Sequence, residues 1–136
     1  MTYAFDPELA PFVEMLPAGD ISDVHVARAG LAAIIAPMNA NVDISGLQVE
    51  DHMIDGPDGS PPVLVRIYSP DSPAPSEGRP ALLDIHGGGF VVGDIEMEHG
   101  FAAAIARELG AVIAAVEYRL APEHPFPPAS TIATRR

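Results

Sequence analysis

Apolar and polar positions change their spacing several times along the chain, and each change marks a predicted element. Asp6-Pro7-Glu8 has the makings of a helix start: a capping carboxylate, a proline where no amide hydrogen is needed, and an acid near the positive end. Pro11 and Pro17 limit that helix to a few turns. Ser22 is a second candidate N-cap, and DVHVARAGLAAIIA continues helically until Pro37. Both helices are partly apolar and precede any strand, so they are placed to cover something built later.

From residue 47 the period shortens to two. LQVEDHMI (47–54) and PVLVRIYS (62–69) alternate, DGPDGSP lies between them, and Asp58-Gly59 supplies turn chemistry, which predicts an antiparallel β-hairpin. PDSPAPSEGRP (70–80) reads as a polar, proline-rich surface loop. ALLDI (81–85) then has the character of a short buried strand. EMEHGFAAAIARELG (96–110) spaces Phe101, Ile105 and Leu109 as one stripe of an amphipathic helix, and Gly110 suits the position just past its end. AVIAAVEY (111–118) is a second apolar run of strand length. Strand, glycine turn, helix, strand is a βαβ unit, which implies parallel pairing in an α/β sheet buried on both faces. Four prolines within 122–128 prevent a regular element from continuing there.

Composition narrows the function classes. The 136 residues are 48% hydrophobic and 19% charged, which suits one globular domain. Net charge is −12, with no lysine and seven arginines, so nucleic acid and anionic membranes are disfavoured as partners. The absence of cysteine removes disulfides, thiolate nucleophiles and cysteine-ligated metals. MTYAFDPELAPF lacks the basic start and apolar run of a secretory signal, and no apolar run is long enough to span a bilayer, so a cytoplasmic location is expected. Nothing in the composition calls for a cofactor or a metal.

The chemistry concentrates in LLDIHGGGFVVGD (82–94). A phosphate cradle would want G-x-G-x-x-G opening into a helix, whereas the glycines here stand at 87, 88, 89 and 93 with no basic residue beside them. A nucleotide-binding enzyme is therefore the weaker alternative. A merely structural turn would need fewer glycines, since each carries a backbone-entropy cost. An oxyanion hole needs backbone N–H groups preset toward a developing negative charge, with no side chain in the way of the substrate.

His86-Gly87-Gly88-Gly89-Phe90, followed by EYRLAPEHPFPPA (117–129), resembles the hormone-sensitive-lipase branch of the α/β-hydrolases, the HGGG esterases. The resemblance implies the N-terminal part of that fold. Residues 1–40 would be cap helices, 41–129 the hairpin and βαβ unit of the hydrolase domain, and 130–136 an aberrant tail. It implies a carboxylic ester hydrolase acting on a small uncharged ester. Gly88 and Gly89 would donate the oxyanion-hole N–H groups, and Gly87 would shape the turn. His86 is either a general base or a buried side chain that holds the loop, and the resemblance favours the second. Phe90 either walls the substrate pocket or belongs to the core. Tyr118, Arg119, Pro122 and Glu123 resemble scaffold under the site. The Ala121-Pro122 and Phe126-Pro127 bonds are candidates for cis geometry.

The reagents of the reaction do not accompany this turn. In the α/β-hydrolase fold the nucleophile sits in G-x-S-x-G, with an acid and a histidine following in chain order. None of the serines, at 22, 45, 60, 69, 72, 76 and 130, has that setting, and the histidines at 25, 52, 99 and 124 precede the place where it would come. STIATRR after PFPPA breaks the family pattern abruptly, as a frameshift or premature stop near Ser130 would. The expectation is a chain inactive on its own, with LLDIHG left as an apolar sheet edge open to association. Ile113 and Val116 would lose their covering helices. The alternative from another class is a non-catalytic half-domain that pairs with a separate C-terminal chain.

Overall fold

A computed structural model describes residues 5–15, 21–56 and 60–125. The Asp58-Gly59 turn, Pro17, the Phe126-Pro127 bond and the STIATRR tail lie outside the described residues. The elements run α1 (Ala10–Met15), α2 (Val24–Asn39), β1 (Leu47–Ile54), β2 (Val63–Pro70), β3 (Ala81–Ile85), α3 (His99–Leu109) and β4 (Val112–Glu117). Among the described residues, no helix is long and apolar enough to cross a membrane.

The helix boundaries differ from expectation where capping chemistry competes. The Asp6 carboxylate accepts from the Glu8 N–H at 2.8 Å, but it opens a turn, and α1 begins only at Ala10. Pro11 does not limit α1; it lies in the first turn, where its missing N–H would have had no partner. For α2 the cap is Asp23 and not Ser22: the Asp23 carboxylate accepts from the His25 and Val26 N–H groups. A carboxylate is the better match to the positive end of a helix dipole. Pro37 is inside α2, in its last turn, and the helix continues to Asn39.

The four strands form one sheet in the order β1-β2-β4-β3. β1 and β2 pair antiparallel as the hairpin pattern predicts, with Asp51 opposite Arg66 and Val49 opposite Tyr68. β4 enters between β2 and β3, antiparallel to the first and parallel to the second. The βαβ unit is therefore present, and β3 is an edge strand. Arg66 fixes the sheet to the loop before α3. It bonds both oxygens of Asp51 across the strands, at 2.7 and 3.0 Å, and reaches Glu96 at 2.8 Å.

α3 covers one face of the sheet, and the packing reverses the expectation drawn from its sequence. Ala102, Ala103 and Ala106 point inward onto Tyr68, Ile113 and Ala115, while Phe101 and Leu109 stay 61% and 60% exposed. Small side chains let the helix backbone approach the strands closely, so the large stripe is turned aside toward β3. There Phe101, Ile105 and Leu109 form a groove of about 250 Å³ with Leu82, Leu83, Asp84 and Ile113. Ile113 and Val116 are both buried, so the expected loss of cover does not occur. It falls on β3, where Leu82, Leu83 and Ile85 are exposed. On the opposite face Val63, Val116 and Tyr118 make a second small cluster with Val65 and Leu120.

Candidate active site

The glycine turn leaves the end of β3 and is held by backbone geometry that few residues adopt. Gly88 and Gly89 have φ of 121° and 60°, and Phe90 follows with φ of 66°. A left-handed aromatic residue is uncommon, and such conformations cost on the order of 1–3 kcal/mol. The Val91 and Val92 N–H groups both bond the Gly88 carbonyl, at 3.2 and 3.0 Å, which closes the turn. A Cβ on Gly88 would stand 1.9 Å from the Val92 carbonyl oxygen, so no other residue fits. Gly87 differs: its nearest neighbour would be the Met97 Cε at 4.0 Å, so packing does not require glycine there.

His86 is buried, at 4% exposure. Its Nδ1 lies 2.8 Å from the Gly87 carbonyl, and because a carbonyl can only accept, that nitrogen carries the proton. Nε2 is buried with no partner among the described residues. The imidazole stacks on Tyr118 with centroids 4.1 Å apart, and the Tyr118 hydroxyl donates to the His86 carbonyl at 2.8 Å. Phe90 stands edge-on to the same tyrosine at 6.2 Å but is itself 63% exposed, so it is not core. Tyr118 thus touches the residues on both sides of the three glycines.

The remaining residues read from the sequence are spread around this turn. Ala121-Pro122 is cis, and the Ala121 N–H donates to the Phe90 carbonyl at 2.8 Å, which joins the loop after β4 to the glycine turn. Glu123 pairs with Arg28 of α2 at 2.8 Å. Arg119 Nε is buried without a partner among the described residues. Glu117 sits at the end of β4 and accepts from the Ile95 N–H at 2.8 Å; its burial pushes the carboxyl above the usual range. Burial also raises the carboxyl of Asp84, one of whose oxygens has no partner among the described residues.

Arg28 was not singled out by sequence reasoning, although it donates to two carbonyls beside the turn. Its signal was present as a charge on the same helical stripe as Leu31 and Ile35. Among the described residues, no set of three or more histidine and acidic side chains is placed to hold a metal ion.

A family model described as the alpha/beta hydrolase fold matches residues 82–134. Esterase LipI of Mycobacterium tuberculosis is 45% identical over 83 residues, 61% of this chain and 25% of that protein. Carboxylesterase NlhH of the same organism is 34% identical over 126 residues, 90% of this chain and 37% of its own. Among solved structures, a bacterial heroin esterase superposes with a TM-score of 0.85 at 44% identity, covering 93% of this chain and 39% of that one. The chain therefore spans between a quarter and two-fifths of the length of these relatives. Sheet order, glycine turn and sequence agree in one assignment: the chain carries part of the α/β-hydrolase fold, and the relatives it is similar to are esterases.

Proposed function

We propose that residues 86–93 are the oxyanion-binding part of a carboxylic-ester hydrolase site, with Gly88 and Gly89 as the N–H donors. The observation that carries this reading is that neither N–H has an acceptor among the described residues, in a turn of positive φ closed by the Val91 and Val92 N–H groups on the Gly88 carbonyl. Two preset donors stabilise a tetrahedral oxyanion without reorganising when the charge develops. In this reading Gly87 leads the chain into the turn and His86 holds the loop, since its protonated nitrogen is spent on the Gly87 carbonyl. Tyr118, Arg119, Pro122 and Glu123 act as scaffold, and Phe90 borders the substrate. The substrate class is a small uncharged ester; that the similar proteins are esterases supports the ester part of this reading.

Donors alone do not attack a carbonyl. Within these 136 residues no G-x-S-x-G occurs, and loss of the nucleophile in a serine hydrolase costs about 10⁶ in turnover. The chain by itself is therefore proposed to be inactive. The exposed edge of β3 favours a second reading, a half-domain completed by a separate chain that supplies the nucleophile, acid and histidine. The test uses 4-nitrophenyl acetate with the purified chain and with a chimera in which residues 1–125 replace the matching region of carboxylesterase NlhH. No turnover by the chain, turnover by the chimera, and its loss in Gly88→Ala are expected. Hydrolysis by the chain alone, or a chimera that folds but cannot turn over, would overturn the proposal.

A further inference from the structure

α2 contributes no buried residue to the core, yet it is fastened to the active-site turn. One side chain makes most of that connection. Arg28 donates from Nε to the Val91 carbonyl and from Nη2 to the Ala121 carbonyl, both at 2.8 Å. The same guanidinium meets both oxygens of Glu123, at 2.8 and 3.0 Å. At the other end of the helix the Asn39 amide donates to the Glu96 carbonyl at 2.8 Å.

These contacts join three distant segments at one point. Val91 follows the run of positive φ through Gly88, Gly89 and Phe90, and its own N–H bonds back to Gly88. The Ala121 N–H bonds Phe90, so the peptide on each side of the turn's exit is held from outside. A conformation so unfavourable locally persists only where the surroundings over-determine it. We infer that Arg28 is a positioning residue of the oxyanion turn: by fixing the Val91 and Ala121 carbonyls, it sets where the Gly88 and Gly89 N–H groups point. This rests on the ester-hydrolase reading above for its catalytic meaning. Glu123 neutralises the arginine charge, so the contribution is geometric and not a field acting on the oxyanion. A planar fork with fixed donor directions can meet all four acceptors, and a lysine ammonium cannot.

Hydrogen–deuterium exchange of the full chain tests the hold on the turn. Arg28→Ala and Arg28→Lys should both speed exchange of the Val91 and Val92 amides, roughly ten-fold or more, while β2 and α3 exchange as in the wild type. Added methylguanidinium should restore protection in Arg28→Ala. Unchanged exchange of the Val91 and Val92 amides, or an equal rise across the whole chain, would overturn the inference. In the NlhH chimera, Arg28→Ala should lower kcat roughly ten- to hundred-fold with KM little changed, as a displaced catalytic group does. An unchanged kcat beside raised exchange would refute the positioning role. A wild-type chimera without turnover would instead remove the ester-hydrolase reading, with the exchange result still deciding whether Arg28 holds the turn.

Discussion

Gly93 packs directly against the ring of His86: a Cβ at position 93 would stand 2.7 Å from the His86 Nδ1 and 2.5 Å from the Gly87 carbonyl oxygen. Those two atoms form the hydrogen bond that closes the start of the glycine turn. Gly93 also has φ of 94°, so a side chain there is strained even before it collides.

Gly93→Ala should therefore destabilise the chain by more than about 3 kcal/mol, in the range reserved for steric and backbone conflicts. Gly87→Ala, with open space around its Cβ, should stay within about 1 kcal/mol of the wild type. Chemical denaturation of the two variants side by side checks the contrast. Equal losses would mean that the turn is not held by the contact between Gly93 and His86.

The open edge of β3 predicts self-association. Leu82, Leu83 and Ile85 are exposed on a strand that is an edge among the described residues, beside the groove lined by Phe101 and Leu109. Such edges pair with other chains unless a charge or proline interrupts them. Leu83→Lys should reduce association in light scattering while leaving the melting temperature nearly unchanged, because Leu83 is already 56% exposed. A wild-type chain that stays monomeric at high concentration would count against this.

The pairing of Arg28 with Glu123 gives stability a defined acid limb. The hydrogen bonds from Arg28 hold the Glu123 carboxyl down from 4.5 to about 2. A depressed carboxylate stabilises the fold above its unfolded pKa, and that contribution is lost as pH falls through the folded value. The gap in melting temperature between wild type and Glu123→Gln should be constant above pH 4.5 and close as pH approaches about 2. A gap independent of pH would show that the carboxylate charge contributes nothing.

Tyr68 of β2 and His99, the first residue of α3, make a second hydrogen-bonded pair. Their Oη and Nδ1 are 2.9 Å apart, and Tyr68 is fully buried. Burial, then the Arg66 charge, lowers the His99 pKa below 6.5. A histidine depressed in the folded state leaves stability intact above 6.5; stability then declines as the unfolded chain takes up the proton first. Tyr68→Phe should cost about 1 kcal/mol, the usual value of one such hydrogen bond. An NMR titration of His99 that gave an ordinary or raised pKa would contradict this account.

Local spacing made the elements legible. The period-two runs became β1 and β2, the glycine after residue 109 became the left-handed cap of α3, and the βαβ unit lies where the pattern put it. The turn was legible for the same reason: positive φ at Gly88 and Gly89 leaves its mark as adjacent glycines. Capping at Asp23 was misread because Ser22 and Asp23 are both capping residues, and only the emerging N–H directions choose between them.

What the sequence alone determined is therefore the order and type of the elements and the position of the turn, all set by preferences within a few residues. Tertiary structure decided three further matters. It turned the alanine face of α3 inward, because close approach to the sheet outweighs the larger area of Phe101 and Leu109. It placed β4 between β2 and β3 and so left β3 at the edge. It brought Arg28 to Val91, Ala121 and Glu123, partners 63 to 95 positions away. Those acceptors meet only when the sheet has assembled, so no window of neighbouring residues could reveal them.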